Sequence, residues 1–295
     1  MLSNNNIKEI ILEKLDAKVV EIKEDTSGYD QYVWIIATSN PKYQKIVLKK
    51  PKNESYFRNI REVIACQKFQ ELDIMVPTVI YWDEEILIET FIEGAQLDQL
   101  DLDKNLQNEI FYELGKILRK IHSIPAQGFG KIKSNELVGE VSNLVEYYDS
   151  GFLHHLRNLE ETKLYSPEDI QNINNYYETK KKQVDVNNSV LLHADYADSN
   201  IILTPNQEIA LIDFADLSAG NPMQDYAYMY ETYNGTQAFQ ALLDGYQDFK
   251  LEEIEFFTFC RFLWLIPMKW KENNESERLQ KMLVLFSSMW KNTKN

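Results

Sequence analysis

A chain of 295 residues with 44% hydrophobic content is long enough to bury a sizeable core in one large domain or two lobes, and it is too apolar for a disordered polymer. A formal net charge of −15 and a pI near 4.8 exclude the basic stripe of a nucleic-acid binder and favour cationic ligands. Cys66 and Cys260 lie far apart in apolar patterns, the start carries no basic segment before an apolar run, and the longest apolar stretch (254–266) is broken by Glu255, Thr258 and Arg261, so the expectation is a cytoplasmic protein with reduced thiols and no membrane span.

Ile7, Ile10, Ile11 and Leu15 recur at helical spacing and predict a short amphipathic helix. Strands are expected over 19–24 and 31–38, joined by a turn around Ser27-Gly28, and over 45–50, where alternation sends Lys49 and Lys50 to opposite faces. The pattern turns helical over 54–72, then returns to short strands at 78–82 and 85–90. Residues 91–94 read as an extended connector broken at Gly94.

Beyond it the chain is mainly helical. Helices are expected over 105–121, two or three times within 135–184, and over 223–233, 236–246, 251–271 and 275–290. Ser166-Pro167 marks a helix start, with a serine cap and proline at the first helical position. One stretch interrupts the helices: residues 191–214 read as strand, polar loop, strand, tight turn and strand, ending on Asp213. The fold class is therefore α+β, with a β-rich first lobe over 1–93, a hinge near 89–94, and a mainly helical second lobe over 94–295.

Within 191–214, Asp195, Asn200 and Asp213 are either turn formers or the parts of a phosphoryl-transfer site. That chemistry has a loose transition state and is catalysed chiefly by positioning and charge neutralisation. It needs a carboxylate near the attacking hydroxyl, oxygen ligands for Mg²⁺ and a cation on the phosphates.

The run HADYADSNIIL at 193–203, followed by LIDF at 211–214, resembles the catalytic and metal-binding segments of the aminoglycoside phosphotransferase family, which has a two-lobed protein-kinase-like fold. IVLKK at 46–50, LIETFIEG at 87–94, LGKILRKIHSIP at 114–125 and GNPMQD at 220–225 are similar to further landmarks of that family. The resemblance implies Asp195 as catalytic base, Asn200 and Asp213 as Mg²⁺ ligands, and Lys49 paired with Glu62 on the phosphates. It also implies that Ser27 and Gly28 lie in the nucleotide loop and that the backbone around Glu89 and Phe91 meets adenine. The implied activity is an ATP- or GTP-dependent, Mg²⁺-dependent kinase of a small-molecule hydroxyl. Ala194 stands where the family has glycine, and Asn221 where an aspartate is common.

Protein kinases place an Ala-Pro-Glu motif after the metal-binding acid, and none follows Asp213, which favours a small acceptor. Acidic charge favours a cationic aminoglycoside, with Asp198 either meeting an acceptor ammonium or bonding within its own loop. Choline, homoserine, a sugar or a macrolide are alternative acceptors, and an inactive nucleotide-binding regulator is the reading from a different class. His122 and His193 are expected to be structural; Asp216 and Asp225 are candidates to line the site, with capping or bracing a helix the preferred reading of Asp225.

Overall fold

The computed structural model describes residues 2–25, 30–52 and 56–291. They form two compact units. The first takes in 1–100, 133–135 and 198–217; the second takes in 101–132, 136–197 and 218–295. Ser27 and Gly28 lie outside the described residues.

The first unit begins with α1 (Asn4–Leu15), opened by a reciprocal capping box between Ser3 and Asn6. Strands β1 (Val19–Asp25), β2 (Gln31–Thr38) and β3 (Lys45–Pro51) follow, then α2 (Tyr56–Gln70), β4 (Val79–Trp82) and β5 (Leu87–Thr90). The five strands form one antiparallel sheet in the order β1-β2-β3-β5-β4. Alternation decides what each face does. Trp34, Ile36, Ile46, Leu48, Ile86 and Ile88 bury one face against Ile7, Ile11 and Leu15 of α1. Lys49 points the opposite way, toward α2. The same unit holds β6 (Ala95–Gln96), β9 (Ile201–Leu203) and β10 (Ile209–Leu211), a small sheet ordered β10-β9-β6.

The second unit contains α3 (Lys104–Ile121), β7 (Gly130–Lys131), α4 (Leu144–Glu161), α5 (Pro167–Lys180), β8 (Val190–Leu192) and β11 (Ser218–Gly220). After β11 come α6 (Tyr226–Tyr233), α7 (Gln237–Tyr246), α8 (Leu251–Glu272) and α9 (Glu277–Lys291). Asp103 caps α3 by accepting the N–H groups of Asn105 and Leu106, and Ser166 forms a capping box with Asp169 at α5. Helices α3 and α7 approach closely through two glycines. A Cβ on Gly115 would run into the Leu242 carbonyl, and one on Gly245 into the Tyr112 carbonyl. Both cysteines are buried free thiols. Among the described residues no helix is long and apolar enough to cross a membrane.

Candidate active site

The sequence-predicted residues divide between the two units. Lys49, Glu62, Glu89, Phe91, Asp198, Asn200 and Asp213 belong to the first, and Asp195 to the second.

In the first unit the predicted pair is present, with a second acid beside it. Lys49 Nζ lies 2.8 Å from Glu62 Oε1 and 2.9 Å from Glu89 Oε1. All three residues are buried. Register explains the arrangement: Glu89 in β5 faces Val47 of β3, and Lys49 lies two residues further along the same face. Glu89 is thus placed inside the sheet, paired with Val47 on one side and Val79 on the other. Its side chain is the part that reaches the lysine. Strand alternation could have put Glu89 and Lys49 each on a face, but only the pairing of β3 with β5 joins them. Phe91 donates its N–H to the Lys45 carbonyl at 3.3 Å, and the Lys45 ammonium sits 3.7 Å from the centre of its ring.

Burial works against the charge of Lys49, but the negative charges of Glu62, Glu89 and Asp213 outweigh it and hold the ammonium protonated. The carboxyls of Glu62 and Glu89 are pushed up, first by burial and further by neighbouring acids, although Lys49 opposes the rise.

The segment after β10 is tied to α2. Glu62 Oε2 accepts the Phe214 N–H at 3.1 Å, Arg61 Nε donates to the Ala215 carbonyl, and the Phe69 and Phe214 rings meet edge-on at 5.3 Å. Asp213 is exposed and holds φ at +61°, a conformation an aspartate tolerates better than most side chains. Ile212 donates its N–H to the Asn200 carbonyl at 3.0 Å, so Asn200 and Asp213 both lie at the open end of the β9–β10 hairpin, opposite its turn. Their donor atoms are oxygens, and three acids act on the single ammonium of Lys49. Oxygen donors are the kind that Mg²⁺ takes. Asp198 accepts the Ser199 N–H at 3.0 Å, and its charge joins burial in raising the Asp98 carboxyl.

In the second unit the backbone before Asp195 is held by a buried network. Asp225 Oδ2 accepts the His193 N–H at 2.8 Å, and Oδ1 accepts the Ala194 N–H at 2.7 Å. The same carboxylate lies 3.1 Å from His122 Nε2, whose Nδ1 is 3.0 Å from the Tyr246 hydroxyl. Asp225 makes no side-chain cap on α6; it braces the end of α3 through His122 and also holds the backbone of His193 and Ala194. His193 Nδ1 accepts the Asp195 N–H at 3.3 Å, and Tyr196 sends its hydroxyl to the Leu114 carbonyl at 2.9 Å. Asn221 caps the turn before α6 by accepting the Met223 N–H at 2.9 Å, and its amide donates to buried Glu253 at 2.7 Å. Burial, and then the charge of Asp195, push the Tyr228 phenol above its ordinary value.

A family model described as "Phosphotransferase enzyme family" matches residues 21–257, and the chain belongs to that family. Its class is that of a small-molecule phosphotransferase with a kinase-like fold. Among solved structures, an apo thermostable mutant of aminoglycoside phosphotransferase APH(4)-Ia matches with a TM-score of 0.74 at 14% identity, covering 98% of this chain and 100% of the other. A complex of such a mutant with ADP and hygromycin B matches with a TM-score of 0.73 at 12% identity, covering 98% and 99%. The streptomycin–ATP complex of APH(2'')-IIa matches with a TM-score of 0.66 at 18% identity, covering 98% and 97%. At such identities these likenesses establish the fold. A search of curated proteins finds no match.

Proposed function

We propose that this protein transfers the γ-phosphoryl group of ATP to a hydroxyl of an aminoglycoside. The observation that carries the reading is the buried Lys49 held by Glu62 and Glu89, with Asp213 close enough to act on its charge. A lysine fixed in that way is suited to neutralising phosphate oxygens, and Asn200 and Asp213 supply oxygen ligands for Mg²⁺. Asn200 and Asp213 would hold the metal, and the chemistry it would supply there is charge neutralisation on the phosphates.

In this reading Asp195 accepts the proton of the acceptor hydroxyl as its oxygen bonds to the γ-phosphorus. The bond from that phosphorus to the bridging oxygen breaks, and ADP leaves. The net charge of −15 favours a polycationic acceptor, and the solved relatives include complexes with hygromycin B and streptomycin. Asp198 is the acid assigned to an acceptor ammonium.

The test is ATP-dependent phosphorylation of hygromycin B, streptomycin and gentamicin, with choline, homoserine and a macrolide beside them. Transfer to an aminoglycoside, lost on the order of 10²–10⁴-fold in Asp195→Ala, is the expected result for a missing general base. Transfer only to one of the other acceptors rejects the aminoglycoside, and undiminished turnover in Asp195→Ala rejects the base.

A further inference from the structure

One ammonium stands between two buried carboxylates that are held in unlike ways. Lys49 Nζ hydrogen-bonds Glu62 Oε1 at 2.8 Å and lies 2.9 Å from Glu89 Oε1. Glu62 is tethered at both oxygens, because its Oε2 accepts the Phe214 N–H at 3.1 Å. Its helix, α2, is fastened to the same segment where Arg61 donates to the Ala215 carbonyl. Glu89 is tethered at one oxygen. Its Oε2 is buried and meets no hydrogen-bond donor among the described residues. The Glu89 backbone is fixed inside the sheet between Val47 and Val79, so the carboxylate cannot follow the ammonium when that moves.

We propose that Glu89 competes with the nucleotide for Lys49: a phosphate oxygen displaces Glu89 from the ammonium, while Glu62 keeps its bond. The asymmetry of the two acids sets the direction of the exchange. Displacing Glu62 would disturb a carboxylate that also holds Phe214, whereas displacing Glu89 breaks a single contact. The lysine reaches the pair on a flexible four-carbon stem, so the shift needs no movement of the sheet. A phosphate oxygen offers the ammonium a charge-assisted acceptor of the same kind as a carboxylate. What the exchange leaves behind is a carboxylate with neither cation nor donor, in a place where burial already works against its charge. That cost opposes the nucleotide. Glu89 therefore weakens ATP binding and Glu62 strengthens it, although both are acids on one lysine.

This inference rests on Lys49 meeting the phosphates, as in the proposed function, and its test separates the two. Dissociation constants for Mg²⁺-ATP and for adenosine are measured by isothermal titration calorimetry on the full chain, with no acceptor present. Glu89→Gln keeps the shape of the side chain and removes its charge. It is expected to bind Mg²⁺-ATP about tenfold more tightly, the scale of replacing a charged hydrogen-bond partner by a neutral one. Adenosine has no phosphate and should bind Glu89→Gln and the parent alike. Glu62→Gln should bind Mg²⁺-ATP more weakly than the parent. Thermal melting shows which variants fold, and Glu62→Asp, which shortens the reach to the lysine, replaces a Glu62→Gln that does not.

An unchanged or weaker constant for Mg²⁺-ATP in folded Glu89→Gln overturns the inference and leaves the proposed function intact. A Glu62 variant that binds Mg²⁺-ATP as tightly as the parent, or more tightly, also overturns it, because Glu62 would then not be the partner the lysine keeps. Equal tightening for adenosine and Mg²⁺-ATP in Glu89→Gln places the effect at the base and overturns it too. No binding of Mg²⁺-ATP by the parent removes the phosphotransferase reading and the inference together.

Discussion

Asp225 Oδ1 accepts the Ala194 N–H at 2.7 Å at the point where Ala194 holds φ at +63°. The two facts belong together. A left-handed residue turns consecutive backbone N–H groups to one side, and here those of His193 and Ala194 converge on a single buried carboxylate. The predicted base follows immediately in the chain.

Asp225→Ala should therefore be among the most damaging single changes in the second unit. It leaves two N–H groups and His122 without their acceptor in a site whose carboxylate is fully shielded from water. Each orphaned donor costs about 1–3 kcal/mol, so from the two N–H groups alone a loss of about 2–6 kcal/mol in urea unfolding is expected. Asp225→Asn retains one acceptor oxygen but turns an NH₂ toward a donor, and it should fall between. An unfolding midpoint of Asp225→Ala equal to that of the parent would show that the network contributes no stability.

Ala194→Gly should move stability in the opposite direction. A side chain in the left-handed region costs about 1–2 kcal/mol, while glycine loses about 0.4–1 kcal/mol through the larger freedom of its unfolded chain. The expected balance is a gain of about 0.5–1 kcal/mol with the fold unchanged, read from the same urea transition. A loss of stability would mean that the alanine methyl makes contacts worth more than the strain.

Much of this was legible before any coordinates. Period-two alternation placed β2 at the residues where it lies and sent Lys49 and Lys50 apart, and indeed Lys49 is buried on Glu62 whereas Lys50 reaches exposed Glu85. Helical spacing and the Ser166 cap located α1, α3 and α5 because those signals are local. The place of Glu89 beside Lys49 and the backbone partners of Asp225 were not legible for the converse reason. Each depends on a non-local fact: that β3 lies beside β5, or that the start of α6 meets the 193–195 loop. Alternation and helical period give the face of a residue, and what stands opposite that face comes from packing.

The two acids on Lys49 should not be equivalent. Glu62 uses both oxygens, one on Lys49 and one on the Phe214 N–H, whereas Glu89 Oε2 is buried with no hydrogen-bond partner. Glu62→Gln is expected to destabilise the first unit and to slow turnover, because it weakens the grip on both the lysine and the segment carrying Asp213. Glu89→Gln removes a carboxylate that burial and its neighbours already disfavour, and it should be close to neutral in stability. Lys49→Met, which leaves both acids without their cation, should be the worst of the three, by about 3–5 kcal/mol. Equal losses from Glu62→Gln and Glu89→Gln, measured by chemical unfolding, would contradict this ranking.

Two acid clusters pull stability in opposite directions as pH changes. Burial would raise the Glu231 carboxyl, but Arg261 and Arg278 more than reverse this and hold it below its ordinary 4.5. The folded state then binds that proton more weakly than the unfolded chain. The stability from Glu231 is present above 4.5 and lost as pH falls beneath it. For Glu62 and Glu89 the folded carboxyls are raised, so the folded state binds their protons more tightly. Their contribution is present at low pH and declines as pH climbs from 4.5 toward neutrality. Urea midpoints followed from pH 3 to pH 8, on the order of the range in which carboxylates and their raised forms titrate, should rise and then fall. Glu231→Gln should flatten the acid limb alone, and Glu62→Gln the neutral limb alone. Because the two clusters share no residue, their effects should add in the double variant. An acid limb that survives Glu231→Gln unchanged would assign the acid sensitivity to other carboxylates and remove the two arginines as its cause.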